Sequence, residues 1–171
     1  RQSNGEAVTP AVPIRAIVVD DTADLRGLLR MALESTPDIR VVGEAADGAE
    51  GIELVRNTRP DLILLDLAMP VMDGMTALPE LRRVVPKSAI VVLSGFGADV
   101  MADKAIAAGA NGYLQKGITP RAIVDYVRSV AGIAGGFPPN LDGNRVDTGF
   151  TASPPAARQV VPPPSRSGPA T

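Results

Sequence analysis

The residues of this chain that could do chemistry are Asp20 and Asp21, Asp66, Ser94 and Lys116. Each closes a short apolar run: VVDD at 18–21, ILLD at 63–66, VVLS at 91–94 and GYLQK at 112–116. The chain has no histidine and no cysteine, which removes imidazole acid–base catalysis, thiol chemistry, disulfides and the usual zinc and copper ligands. Carboxylates, hydroxyls, ammonium groups and backbone remain. Three carboxylates brought together repel one another, and one of them protonates unless a cation joins the group; a set made only of oxygen donors suits Mg²⁺. Two of the three can hold such an ion while the third stays available as a nucleophile, because a carboxylate attacks an anionic phosphoryl donor poorly until a divalent ion screens the charge. A lysine ammonium and a serine hydroxyl would then bind the phosphoryl oxygens. Taken singly, an Asp pair reads as a helix cap, Asp66 as a turn residue, and Ser94 or Lys116 as solvated surface. Their joint placement after apolar runs is what points to a site.

Those runs, 14–19, 41–46, 62–65, 89–93 and 112–114, are bounded by Asp, Gly, Ser or Lys and are too short for helices, so they predict five strands. Between them the apolar residues take helical spacing: Leu25, Leu28, Leu29, Ala32 and Leu33; Ala49, Ile52 and Val55 or Leu54; Met101, Ala105, Ile106 and Ala108; and, from Thr119 with Pro120 in the first turn, Ile123, Val127 and Val130. The third helix is interrupted by Pro79 in GMTALPELRR, and the spacing predicts that it starts late or kinks there. Alternating strands and helices imply an α/β fold, a doubly wound, five-stranded parallel sheet with five helices on its two faces. Such folds bind ligands beyond the carboxyl ends of their strands, where the five polar residues would converge.

Composition narrows the reading. Of 171 residues, 45 % are hydrophobic but only 3 % aromatic, so one aliphatic core is expected. A formal net charge of −2 and no basic run longer than Arg82-Arg83 leave no electrostatic footprint for nucleic acid or anionic lipid. No apolar stretch approaches the roughly 20 residues of a membrane span, and RQSNGEAVTPAVP lacks the order of a signal peptide, so a cytoplasmic protein is expected. Arginine exceeds lysine fourteen to three, a bias in keeping with a GC-rich bacterial genome. Residues 1–13 read as a flexible leader, 14–134 as the folded domain, and 135–171, with eight prolines, as a Pro-rich disordered tail or linker.

Four segments, VVDD at 18–21, LLDLAMPVMDG at 64–74, VVLSG at 91–95 and GANGYLQKG at 109–117, resemble the signature segments of two-component response-regulator receivers of the CheY-like superfamily, with the likeness spanning about 14–134. The resemblance implies a flavodoxin-like sheet of order 2-1-3-4-5. It makes Asp66 the phosphoacceptor, Asp20 and Asp21 the acidic pair, Ser94 the switch hydroxyl, Tyr113 the switch aromatic and Lys116 the family's lysine. The backbone carbonyl of Ala68 would join Asp20, Asp21 and Asp66 around Mg²⁺. The implied function is phosphorylation by a sensor histidine kinase or phosphotransfer protein. Output would pass to an effector protein through the face made by the fourth helix, fifth strand and fifth helix, with a homodimer as one form of it. Gly74 would relieve the turn before the third helix, and Gly95 would leave room for the donor. The chain departs from the pattern at Gly117, where many receivers have proline, so the Lys116–Gly117 bond is expected to be trans. Ala68 and Phe96 flank the path of hydrolytic water, and neither can orient it, so a slowly decaying phosphorylated state is expected. A stand-alone receiver is preferred over a fragment of a transcriptional regulator or a degenerate, non-phosphorylated receiver. A phosphatase resembling the haloacid dehalogenases would need an acid where Ala68 stands, and a flavin module would need hydroxyls and amides where DDTAD stands.

Overall fold

The computed structural model describes residues 12–95 and 98–132. Most of the expected leader and tail, and Phe96 and Gly97, lie outside the described residues. Strands β1 (Ile14–Val19), β2 (Ile39–Ala45), β3 (Leu62–Asp66), β4 (Ala89–Ser94) and β5 (Gly112–Gln115) alternate with helices α1 (Ala23–Glu34), α2 (Gly48–Thr58), α3 (Gly74–Val84), α4 (Ala98–Ala107) and α5 (Pro120–Val130). All pairings are parallel, in the order β2-β1-β3-β4-β5. No helix of the described residues is long and apolar enough to cross a membrane.

The two-residue period of the strands sorts their side chains into two aliphatic layers. Ile17, Val19, Ile63, Leu65, Ile90 and Val92 pack with Ile52 and Val55 of α2, Leu78 and Leu81 of α3, and Ala105 of α4. Ala16, Val18, Leu62, Leu64, Val91 and Leu93 pack with Leu29 and Leu33 of α1 and with Ile123, Val124 and Val127 of α5. Both faces of the sheet are therefore covered, which is why the strands read as continuous apolar runs.

Local signals set the helix ends. Asp47, Asp73 and Thr119 cap α2, α3 and α5 by accepting from the N–H groups of Glu50, Thr76 and Ala122. Of the two outcomes expected at Pro79, the late start does not occur: the Asp73 cap sets the start of α3 at Gly74, and the helix runs through the proline. Pro79 forfeits only the bond to the Met75 carbonyl, while burial of Ala77, Leu78 and Leu81 keeps the helix on the sheet. Strand β2 also begins two residues earlier than expected, because Ile39 is buried opposite Ile14. Three residues assigned to apolar helix faces are exposed, Leu28, Ala49 and Ile106. In α2, Ile52 and Val55 are buried as expected, and Gly48 and Gly51 are buried with them in place of Ala49, allowing close approach to the sheet and α3.

One half-buried cation ties several chain segments together. The Arg82 guanidinium, near the end of α3, donates to the carbonyls of Val85, Pro86, Ser88 and Gly109 at 2.8–3.2 Å and to Asn111 Oδ1 at 2.5 Å. Asn111 Oδ1 also accepts from Ile90 N–H, so this arginine fixes the turn from α4 into β5. Replacing it strands several carbonyls without a donor. Arg82→Met is expected to lower unfolding stability by about 2–4 kcal/mol in urea melts followed by circular dichroism. Arg83→Met, at an exposed neighbour, should stay within about 0.5 kcal/mol of wild type; equal melts for the two would refute the assignment.

Candidate functional site

The carboxyl ends of β1, β3, β4 and β5 carry the polar residues singled out from sequence. Asp20 follows β1 and is 1 % exposed. Its N–H donates to the Ala45 carbonyl, its Oδ1 accepts from Thr22 N–H at 2.8 Å, and its carbonyl accepts from Arg26 Nη1 at 2.6 Å. These bonds leave Asp20 Oδ2 facing the site. Asp66 ends β3, is 2 % exposed, and accepts from Ala68 N–H on Oδ1 at 3.3 Å. Lys116 follows β5, and its Nζ lies 3.0 Å from Asp20 Oδ2 and 3.1 Å from Asp66 Oδ2. Both contacts are close enough for ion pairing. Ser94 ends β4, is fully buried, and receives Lys116 N–H on its carbonyl at 2.7 Å. Asp21 is exposed beside them.

The electrostatics follow from crowding. Burial pushes the Asp66 carboxyl above its ordinary pKa, Lys116 pulls it back, and the Asp20 carboxylate pushes it up again, with a net rise. Burial opposes the charge on Lys116, but its contacts with Asp20 and Asp66 outweigh that and hold its pKa above the usual value. One carboxylate oxygen from each of Asp20, Asp21 and Asp66 lies within 4.8 Å of the others. Two buried oxygens that meet only the Lys116 ammonium, plus a third exposed carboxylate, form an oxygen-only set of acidic donors open on the side of Asp21, which fits a hard divalent ion that keeps part of its water. A cavity of about 710 Å³ lies elsewhere, at the amino ends of the strands beside Pro13, Pro60, Val85 and Asn111.

The backbone around Asp66 requires glycine at 74. A methyl group there would fall on the Asp66 carbonyl oxygen, and Gly74 N–H donates to the Leu67 carbonyl at 2.9 Å. The need is close approach, not the turn freedom expected from sequence. Beside Gly95 the space is open, and the side chain of Ala68 is exposed. Tyr113 is half-buried in β5 opposite Val92 and packs on the layer shared with α4, while the Tyr126 hydroxyl from α5 bonds to its backbone. A methyl on Gly112 would meet that hydroxyl at 2.5 Å, which accounts for the glycine opening β5. Gly109 has φ +117° just after α4, as a helix-ending glycine does. No described peptide bond is cis, and Gly117, at φ +99°, occupies a conformation closed to proline. Phe96 lies outside the described residues. Sequence reasoning missed Thr22 and Arg26, which orient Asp20 through bonds that no residue pattern announces.

Comparisons with known proteins show the family and the fold. Residues 16–128 match the family model of the response regulator receiver domain. The chain is 42 % identical over 114 residues to a protein-glutamate methylesterase/protein-glutamine glutaminase of Azospirillum brasilense, covering 65 % of this chain but 29 % of that one. It is 32 % identical over 117 residues to the chemotaxis protein CheY of Thermotoga maritima, covering 68 % of this chain and 97 % of that one. The crystal structure of the response regulator domain of Thermotoga maritima CheB superposes with a TM-score of 0.65 at 28 % identity, covering 71 % of this chain and 98 % of that one. Alternating strands, polar residues gathered at their carboxyl ends and a family match over most of the folded residues lead to one assignment: this chain belongs to the response regulator receiver domains of two-component systems.

Proposed function

We propose that the chain is a phosphoacceptor switch in which Asp66 takes a phosphoryl group from a sensor histidine kinase or phosphotransfer protein. The observation that carries this reading is the Lys116 ammonium held between the buried oxygens of Asp20 and Asp66, beside a third carboxylate on Asp21. Asp20, Asp21, Asp66 and the Ala68 carbonyl are the residues that would hold Mg²⁺, which when bound screens the negative charge that otherwise repels the donor. An oxygen of Asp66 attacks phosphorus, the bond from phosphorus to the donor nitrogen breaks, and the donor imidazole keeps the electron pair and is reprotonated from water. Lys116 then exchanges its pairing with Asp66 for a phosphoryl oxygen, and Ser94 offers its hydroxyl to another. Movement of Ser94 and turning of Tyr113 would carry the change to the α4–β5–α5 face, which would bind an effector protein or a second copy. The methyl of Ala68 cannot orient a hydrolytic water, which supports a slowly decaying phosphorylated state.

The chain spans 29 % of the methylesterase relative's length and nearly all of the CheY relative's. Both a stand-alone receiver and the receiver portion of a larger regulator therefore fit.

Intact-mass measurement after incubation with a small phosphodonor tests the proposal. One phosphoryl addition is expected with Mg²⁺ and none with chelator, and Asp66→Asn should abolish it; the same addition in that variant would move the acceptor elsewhere. Stability gives a second measure. A carboxyl whose folded pKa is raised favours the fold at acid pH and loses that contribution as pH climbs from the ordinary value of 3.8 through the folded value. At neutral pH without metal, Asp66→Asn should therefore melt higher than wild type. Mg²⁺ at ten times its Kd should stabilise wild type by about 1.4 kcal/mol and the variant by far less. Finally, hydrogen exchange across residues 98–130 should change on phosphorylation, and identical exchange in a fully phosphorylated sample would remove the α4–β5–α5 face from the switch.

A further inference from the structure

Two non-glycine residues among those described have positive φ, Arg59 at 47° and Val71 at 64°. Arg59 is the C-cap of α2, where left-handed backbone ends many helices. Val71 lies in the loop from β3 to α3, five residues beyond Asp66, and is 87 % exposed. Met72 N–H donates to the Pro70 carbonyl at 2.7 Å across it, closing a γ-turn of the rare, strained positive-φ kind. A β-branched residue is disfavoured in that conformation by roughly tenfold. Its side chain, being exposed, recovers nothing by burial.

The compensation comes from the next peptide. The Met72 carbonyl accepts from Gly48 N–H at 2.9 Å. Gly48 is the first residue of α2, and its amide is one of those a helix start leaves without an internal partner. Asp47 Oδ1 already serves Glu50 N–H, and Glu50 Oε2 serves Ala46 N–H, so the loop completes the cap. Glycine is needed at 48 for this contact: a Cβ there would sit 2.8 Å from Met72 O and 2.9 Å from both Ala77 Cβ and Met72 Cγ. At its other end the loop is closed by Gly74 N–H on the Leu67 carbonyl. The stretch between these two ties contains Ala68.

We infer that Gly48 and the strained turn at Val71 are positioning elements for the metal-binding loop. The Gly48–Met72 bond holds the loop in the shape that brings Ala68 beside Asp66, and the strain at Val71 sets how readily that bond opens. The inference rests on the proposed Mg²⁺ site. It makes the N-terminus of α2, which touches no reacting group, responsive to the ion. By linkage, whatever closes the loop tightens the ion, and the ion closes the loop by the same factor.

The test compares wild type, Val71→Gly and Gly48→Ala by calorimetric Mg²⁺ titration and by amide hydrogen exchange at residue 48. In wild type, Mg²⁺ at ten times its Kd should slow that exchange by about tenfold. Val71→Gly removes the roughly tenfold backbone penalty, while glycine's freedom in the open loop returns about threefold. Exchange at Gly48 should therefore slow by about threefold without metal, a gain that general damage to the fold cannot imitate. Gly48→Ala should weaken Mg²⁺ by about tenfold, as loss of one backbone bond and a forced loop shift require. If Gly48→Ala does not fold, Val71→Gly decides alone, since its side chain is exposed. Mg²⁺ that binds yet leaves Gly48 exchange unchanged, or unaltered exchange in Val71→Gly, overturns the positioning role and leaves the phosphoacceptor reading standing. Absence of Mg²⁺ binding to wild type overturns both.

Discussion

The buried carboxylates of Asp20 and Asp66 stay together because the Lys116 ammonium stands between them. Almost everything else in the molecule serves that arrangement. Neighbouring strands lie about 4.8 Å apart, so the end of β5 is roughly 10 Å from that of β3 and about 14 Å from that of β1. The Lys116 side chain reaches back from the end of β5 across the end of β4 to meet both carboxylates. Ser94 stands there, small and fully buried, with its carbonyl anchoring the Lys116 backbone. The strand order and the identity of one short residue are thus linked by the reach of one side chain.

The same arrangement explains how an acidic site is tolerated in a chain built on an aliphatic core. Three carboxylates and one ammonium leave a local excess of negative charge, held by a surface that is open on the side of Asp21. The fold stays intact through its apolar layers, which need nothing from the site, while the site retains an unmet demand for positive charge. A binding event can then be driven by relief of that demand without rebuilding the core.

Much of this was legible in the residues, for physical reasons that can be named. The strand ends were readable because a doubly covered parallel sheet forces its strands to be apolar until the chain emerges, so Asp20, Asp66, Ser94 and Lys116 stand out as the first polar groups. Apolar spacing failed where the residue that packs has no side chain. Gly48 and Gly51 carry the close face of α2, so a pattern built on Ala49 misjudged it. It failed again where Leu28 and Ile106 continue a helical period onto an exposed face. Pro79 looked more disruptive than it is, because a capped and buried helix absorbs one lost bond. The work of Arg82 and the left-handed backbone of Val71 depend on where carbonyls of distant segments point, which no local pattern records.

The scarcity of aromatic residues has an optical consequence. The chain has no tryptophan and two tyrosines, Tyr113 on β5 and Tyr126 on α5, in contact through the backbone of the first and the hydroxyl of the second. The longest-wavelength ultraviolet absorbance and emission of the unlabelled protein therefore come from a single patch where those two elements meet. The molecule carries its own spectroscopic reporter on that patch, free of background from the rest of the core.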